Sequence, residues 1–326
     1  MIEIKNYEKS YDQNIQSLVR RQYEEEQVWC KGELPQFLEE EWYDCFSYIK
    51  KKNIGKLALE DGTLVGFLLF DQPYEDSLGK VKGVFSPFGC NAFLGSNPSK
   101  TASLLFQETA KELIKDGVCG YAISYYAHEK DAAQSLILNG FGIRCSDAIL
   151  NLATYKTEIP TNTEFLCTEL TGKERRKIHE LRCQLERHLA DAPVFLYTDI
   201  AYFNKWYEDE NKRVFVIKDQ EELIGFMAIS DDAETYMTRH PKMVSICGMY
   251  VKKEYREKKV AKRLLDYVVA ICKEEGFEYL GVDCETLNPT ALRFWGKYFT
   301  NYTYSYHRRI DERCIGYLDF LEKEWG

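Results

Sequence analysis

The stretch VSICGMYVKKEYREKKVA, residues 244–261, decides how this chain folds. Residues 244–251 are apolar and β-prone and read as a strand. A short charged loop follows. From about residue 260 the apolar spacing is that of a long helix running to Glu275 and closed by Gly276. A strand that turns tightly into a helix presents unpaired backbone N–H groups beside the positive end of the helix dipole. That is an anion site suited to a pyrophosphate, and Arg256, Lys258, Lys259 and Lys262 add positive charge to it. Further along, residues 279–286 read as a strand broken by Asn288-Pro289, and 290–298 as a short helix with Ala291, Phe294, Trp295 and Tyr298 on one side. Asn288 is placed either to hold a ligand or to cap that helix.

Working backwards, the chain repeats itself. A shift of 159 residues without a gap superposes Leu64 on Leu223, Gly66-Phe67 on Gly225-Phe226, Gly89 on Gly248, Lys100 on Lys259, Ala102 on Ala261, Leu105 on Leu264, Gly117 on Gly276 and Ala132 on Ala291. The order of elements repeats as well. In the first half a strand at 2–7 precedes helices at 10–30 and 35–50, and a hairpin pairs 55–59 with 64–70 through Asp61-Gly62. A strand at 81–87, a helix at 99–115, a strand at 118–125, a helix at 130–138 and a β region to about residue 155 complete it. The polar segment 154–162, with Pro160, reads as a linker. The second half opens with a strand at 165–170, helices at 173–189 and 199–209, and a hairpin of 214–218 with 223–230. Alternating strands and helices place the chain in the α/β (α+β) class, as two copies of one fold.

Length and composition agree with two domains: 326 residues, of which 45% are hydrophobic, can build two cores. With 43 basic against 52 acidic residues the formal charge is −9, which disfavours a nucleic-acid backbone as partner. Eleven cysteines lie scattered with neither C-x-x-C nor a partnered histidine spacing, so the spacing suggests no metal site and no redox dithiol. They read as reduced thiols of a cytoplasmic protein. No apolar run is long enough to span a membrane, and the first residues lack the pattern of a leader.

Strand 246–251, loop 256–261, strand 281–286 with Asn288 and helix 291–298 together resemble the GCN5-related N-acetyltransferase (GNAT) family. The resemblance covers most of 160–310, and the repeat extends it to 1–155. It implies two tandem GNAT-like domains, each a twisted mixed sheet flanked by helices: a degenerate one at 1–155 and an acyltransferase domain at 160–326.

The family's pyrophosphate loop reads Arg/Gln-x-x-Gly-x-Gly/Ala. Here Arg256 and Ala261 match, with Glu257, Lys258, Lys259 and Val260 between them, and Lys259 stands where a glycine belongs. Glycine there allows close approach of the backbone. The resemblance implies acetyl-CoA, or another acyl-CoA, as co-substrate. The backbone of Met249 and Val251 would meet its pantetheine arm, and Asn288 would contact the same arm. An amine of a small molecule or peptide would attack the acyl carbonyl directly. The family's acid, a tyrosine seven residues after the asparagine, is replaced by Trp295; Tyr298, one turn further, is the substitute. Glu285, or Asp283 on the same strand face, is placed to act as base. His307 reads as structural.

In the first copy the shift puts Asn97, Lys100 and Ala102 opposite Arg256, Lys259 and Ala261, and Glu129 opposite Asn288. Pro98 removes one backbone donor from that loop. Two other readings compete with acyl transfer: a binding or scaffold protein that kept the fold but lost the cofactor loop, and an aminoacyl-tRNA-dependent transferase, which the negative charge disfavours. The acceptor and the oligomeric state are not legible.

Overall fold

The computed structural model describes residues 1–76, 79–158, 164–231 and 235–325. In chain order the elements are β1 (Ile2–Asn6), α1 (Asp12–Trp29), α2 (Glu39–Lys50), β2 (Ile54–Glu60), β3 (Thr63–Phe70), β4 (Lys82–Ser86), β5 (Asn91–Phe93), α3 (Pro98–Leu113), β6 (Val118–Tyr126), α4 (Lys130–Leu138) and β7 (Gly142–Asn151). There follow β8 (Phe165–Leu170), α5 (His179–Ala190), α6 (Ile200–Lys205), β9 (Arg213–Asp219), β10 (Glu222–Ser230), β11 (Met243–Val251), α7 (Val260–Glu274), β12 (Tyr279–Glu285), α8 (Pro289–Trp295), β13 (Thr300–Arg309) and α9 (Arg313–Trp325).

The repeat is visible in these bounds. β9 lies 159 residues after β2 at both ends, and β10 and α8 begin 159 residues after β3 and α4. Gly117 and Gly276, which the same shift superposes, both take a positive φ, of 80° and 86°. A side chain there would be strained, so glycine ends both helical segments.

Several elements are shorter than the sequence pattern implies. The helix expected from residue 35 begins at Glu39, after Leu38 in a non-helical conformation. Its first turn carries Glu39, Glu40 and Glu41, which favour the positive end of the helix dipole. The helix expected over 173–189 starts as a 3-10 segment, Gly172–Ile178, and that over 199–209 ends in a 3-10 turn at Trp206–Glu208. The helix expected over 290–298 stops at Trp295.

The chain forms two compact units, residues 1–146 with 301–326, and residues 147–300. The halves read from sequence, 1–155 and 160–326, instead join 301–326 to the second copy; most of the expected linker's proline end, 159–163, lies outside the described residues. Strand pairing accounts for the difference. β13 pairs antiparallel with β6, from Thr303 opposite Tyr126 to Arg309 opposite Gly120, so the last strand of the second repeat belongs to the first unit. The end of β7, Asp147–Asn151, belongs to the second unit, where β7 is the neighbour of β12.

In the second unit the strands run in the order β7-β12-β11-β10-β9-β8. One face packs Phe215, Ile217, Met227, Ile229 and Ile246 against α7 through Val260, Leu264, Leu265, Val268 and Val269. These α7 residues recur every three to four positions, the stripe that a helix lays on a sheet. The other face packs Val214, Val216, Phe226, Ala228 and Tyr250 against Ile178, Leu181, Trp206 and Tyr207. In the first unit β1, β2, β3 and β5 form one sheet, and β4, β6 and β13 are consecutive strands of another.

Candidate active site

The central feature of the second unit is a pair of parallel strands that part. β11 and β12 are in register from Met243 opposite Tyr279 to Ile246 opposite Val282. Beyond those residues both strands continue, to Val251 and Glu285, without ladder pairs to each other. On its other side β11 stays with β10, and its register shifts there, with Ile229 opposite Ile246 and Ala228 opposite Gly248. Cys247 is the extra residue, and a bulge of this kind bends the strand that carries it. Lys252 donates its N–H to the Ile224 carbonyl of β10. In extended backbone the hydrogen-bonding groups alternate sides, so those of Tyr250 face β10 and those of Met249 and Val251 face the widening gap.

The gap leads to the loop before α7. Glu257 and Lys259 have φ of 66° and 60°, in the left-handed region. For residues with a side chain this costs about 1–2 kcal/mol each. Lys259 is the N-cap residue of α7, and no side chain caps the helix. The first amides of α7 are therefore open to an anion. Arg256 Nε donates to the Val251 carbonyl at 3.2 Å, and its guanidinium lies 5.4 Å from the centre of the Tyr250 ring. Lys258 lies over the Tyr255 ring. Lys262 is engaged elsewhere: its Nζ pairs with both carboxylate oxygens of Asp266, at 2.7 and 2.5 Å, and lies over the rings of Tyr155 and Tyr298.

Asn288 is buried and caps α8, accepting from the Ala291 N–H at 3.2 Å and the Thr290 hydroxyl at 2.7 Å. Leu280, Val282 and Cys284 face the α7 core, so Asp283 and Glu285 project to the other side, with Asp283 exposed and Glu285 half-buried. On that side Cys247 is half-buried, and burial pushes its thiol up to about 12.

Trp295 is buried against Phe294 and Phe299. Tyr298 lies beyond the helix expected to carry it, though it packs in the same core as Ala291, Phe294 and Trp295. Gly296 ends α8, and the N–H of Tyr298 bonds to the Trp295 carbonyl in the turn that follows. Its ring meets Phe294 and Tyr155. Burial is the main reason its phenol pKa is raised; Lys262 opposes the shift and Asp266 adds to it. A cleft of about 340 Å³ opens where Gln184, Arg187, His188 and Asp191 at the end of α5 meet Tyr250 and Lys253. The α5 residues lie some sixty positions from β11, and no local pattern marks them.

The first unit carries the same plan in a closed form. β4 and β6 are parallel from Lys82 opposite Val118 to Ser86 opposite Ile123, and the ladder ends there. The Asn91 amide crosses the gap, donating to the Ser124 carbonyl of β6 at 3.1 Å, the Ser86 hydroxyl at 2.9 Å and the Pro87 carbonyl at 3.3 Å. At the start of α3, the Asn97 side chain caps the Lys100 N–H at 2.9 Å, and Pro98 has no N–H to give. The Ser96 N–H and hydroxyl bond to the Glu60 carboxylate, which lowers the Glu60 pKa. The equivalent positions of the other unit keep a similar contact, Tyr255 donating its hydroxyl to the Asp219 carboxylate at 3.0 Å, so the two helix starts differ in the Asn97 cap and Pro98. Glu129, like Asn288, serves as a helix cap.

Residues 178–299 match the family model described as Acetyltransferase (GNAT) family. No curated relative matches the sequence. Among solved structures, the chain is similar to a GCN5-related N-acetyltransferase from Sphaerobacter thermophilus, with TM-score 0.58 and 12% identity over 94% of this chain and 95% of that one. It is also similar to the glucosamine N-acetyltransferase region of a fungal multi-domain GH3 β-N-acetylglucosaminidase, with TM-score 0.54 and 11% identity over 94% of this chain and 38% of that one. The fold is that of GNAT proteins, and acyl transfer is supported at the level of the family. Among the described residues, no helix is long and apolar enough to cross a membrane.

Proposed function

We propose that the protein is an acetyl-CoA-dependent N-acyltransferase with its active site in the C-terminal repeat, acting in the cytoplasm on an amine of a small molecule or peptide. The observation that carries this reading is the parting of β11 and β12 after Ile246 and Val282, in line with an uncapped helix start at Lys259. A thioester arm fits such a gap because the backbone of Met249 and Val251 offers it hydrogen bonds. Its diphosphate fits the amides of 257–261, with Arg256 turning from the Val251 carbonyl to meet it. Asn288 holds its amide group at the edge of the same gap.

Acyl-CoA, when bound, supplies an activated carbonyl to which the amine nitrogen bonds as the carbon–sulfur bond breaks. Glu285 or Asp283 removes the amine proton, directly or through water. Tyr298 is the proposed proton donor to the thiolate. A phenol is protonated at neutral pH, the state a donor requires. The negative net charge favours a cationic acceptor, while the cleft itself carries both signs, Asp191 and Glu254 beside Arg187 and Lys253.

The test is calorimetry with acetyl-CoA together with a melting curve. Binding should raise Tm by mass action, and Arg256→Ala should weaken affinity about tenfold, the loss of one charge-assisted hydrogen bond. An unchanged wild-type melting curve at saturating acetyl-CoA would favour the second reading, a binding or scaffold protein. Lys259 in the left-handed conformation and Trp295 at the acid position are the observations that support that second reading.

A further inference from the structure

We propose that Glu26, Cys30 and His128 form a site for one divalent transition-metal ion of the zinc class in the N-terminal unit. The ligating atoms of these three side chains all lie within 4.8 Å of one another. Glu26 and Cys30 stand one turn apart on the same face of α1, and His128 follows β6. The His128 Nδ1 is 2.6 Å from Glu26 Oε1, and the Cys30 thiol is 3.7 Å from the same oxygen. One sulfur, one nitrogen and one oxygen make a donor set that zinc accepts.

The geometry is close to what such an ion needs. With Zn–S of about 2.3 Å and Zn–O or Zn–N of about 2.1 Å, the edges of a tetrahedron are about 3.4–3.6 Å long. The thiol–carboxylate separation is already near that length. The histidine–carboxylate pair needs to open by less than about 1 Å, a side-chain adjustment. His128 is 32% exposed, whereas Glu26 is 2% exposed, so an ion and a fourth ligand from solvent have a path on the histidine side. Trp29 stacks on His128 with 5.8 Å between ring centres and 3° between planes, which fixes the orientation of the imidazole.

A further observation comes from the repeat. The positions 159 residues further on are Leu185, Leu189 and Leu287. Where one copy has three leucines, the other has three metal-ligating side chains, a replacement of the whole set. Sequence spacing does not reveal the site, because the histidine lies about a hundred residues from the other two ligands. The ion would tie α1 to the turn after β6.

Full-length protein stripped with a chelator and titrated with cobalt(II) tests the site. One equivalent should produce a thiolate-to-cobalt charge-transfer band with visible d–d bands and quench Trp29 fluorescence, and zinc should displace it. Cys30→Ser should remove the charge-transfer band. His128→Ala should weaken binding at least about tenfold. Because single changes in a buried cluster can unfold the unit, the triple variant Glu26→Leu, Cys30→Leu, His128→Leu, which copies the other repeat, serves as a folded control. It should melt cooperatively and bind no cobalt. The proposal is overturned by a wild type that shows no band, or by a band that survives in Cys30→Ser or in the triple variant and so belongs to another of the eleven cysteines.

Discussion

In the unit of residues 147–300 the ladder between β11 and β12 ends at Ile246 and Val282; in the other unit that between β4 and β6 ends at Ser86 and Ile123, and beyond it the Asn91 amide bridges the strands. The two helix starts differ in the same sense. α7 begins without a side-chain cap, whereas α3 begins with Asn97 as cap, Pro98 as first residue and the Glu60 carboxylate on the preceding amide. The same backbone plan thus has an uncapped helix start in one copy and a capped one in the other, and in the capped copy the Asn91 Oδ1 and Ser124 Oγ at the bridge are buried without a partner.

The comparison breaks most directly at Lys258. Lys258→Glu sets a carboxylate in the loop before α7. Like-charge repulsion of a diphosphate should weaken acetyl-CoA about thirtyfold or more by calorimetry, with the fold unchanged because the residue is exposed. The wild type should bind one acetyl-CoA per chain, and two equivalent sites would end the distinction between the copies.

Tyr298→Phe should lower kcat about tenfold with CoA affinity unchanged, since the hydroxyl acts in the transition state. Wild-type turnover would leave Tyr298 as packing for Tyr155 and Phe294. Asn91→Ala should leave the Ser124 and Pro87 carbonyls short of a donor and destabilise the protein by about 1–3 kcal/mol, seen as a lower Tm. It should not create a second CoA site, because Glu60, Asn97 and Pro98 still close the helix start. The smallest effect is expected for Lys259→Gly. Relief of the left-handed strain, less the chain entropy that glycine loses, should raise stability by about 0.5–1 kcal/mol, or about 2–4 °C per kcal/mol in Tm. A drop in Tm would mean that the lysine side chain contributes to the loop.

Much of the fold was legible because it rests on local patterns. The α7 stripe, the left-handed glycines at 117 and 276, and the hairpins at 60–63 and 219–222 follow from short-range rules. The strand–loop–helix order of residues 243–274 was legible for the same reason, since the three are contiguous. The end of α8 was read too far on, to Tyr298, because helical spacing continues through Gly296 in sequence while the backbone turns there to enter β13. The Asn91 bridge was not legible, because its partners include Ser124, 33 positions away.

By itself the sequence determined the class of fold and the recurrence of its elements at 159 residues. Only the tertiary structure decided which unit the final strand joins, since β13 finds its ladder on β6 and nothing in an alternating apolar strand names its partner. It also decided that the Asn91 amide bridges the strands beyond the β4–β6 ladder, because such a bridge depends on side chains that meet across strands. Those meetings are set by packing and by the need to pair buried polar groups, and neither leaves a mark in local spacing.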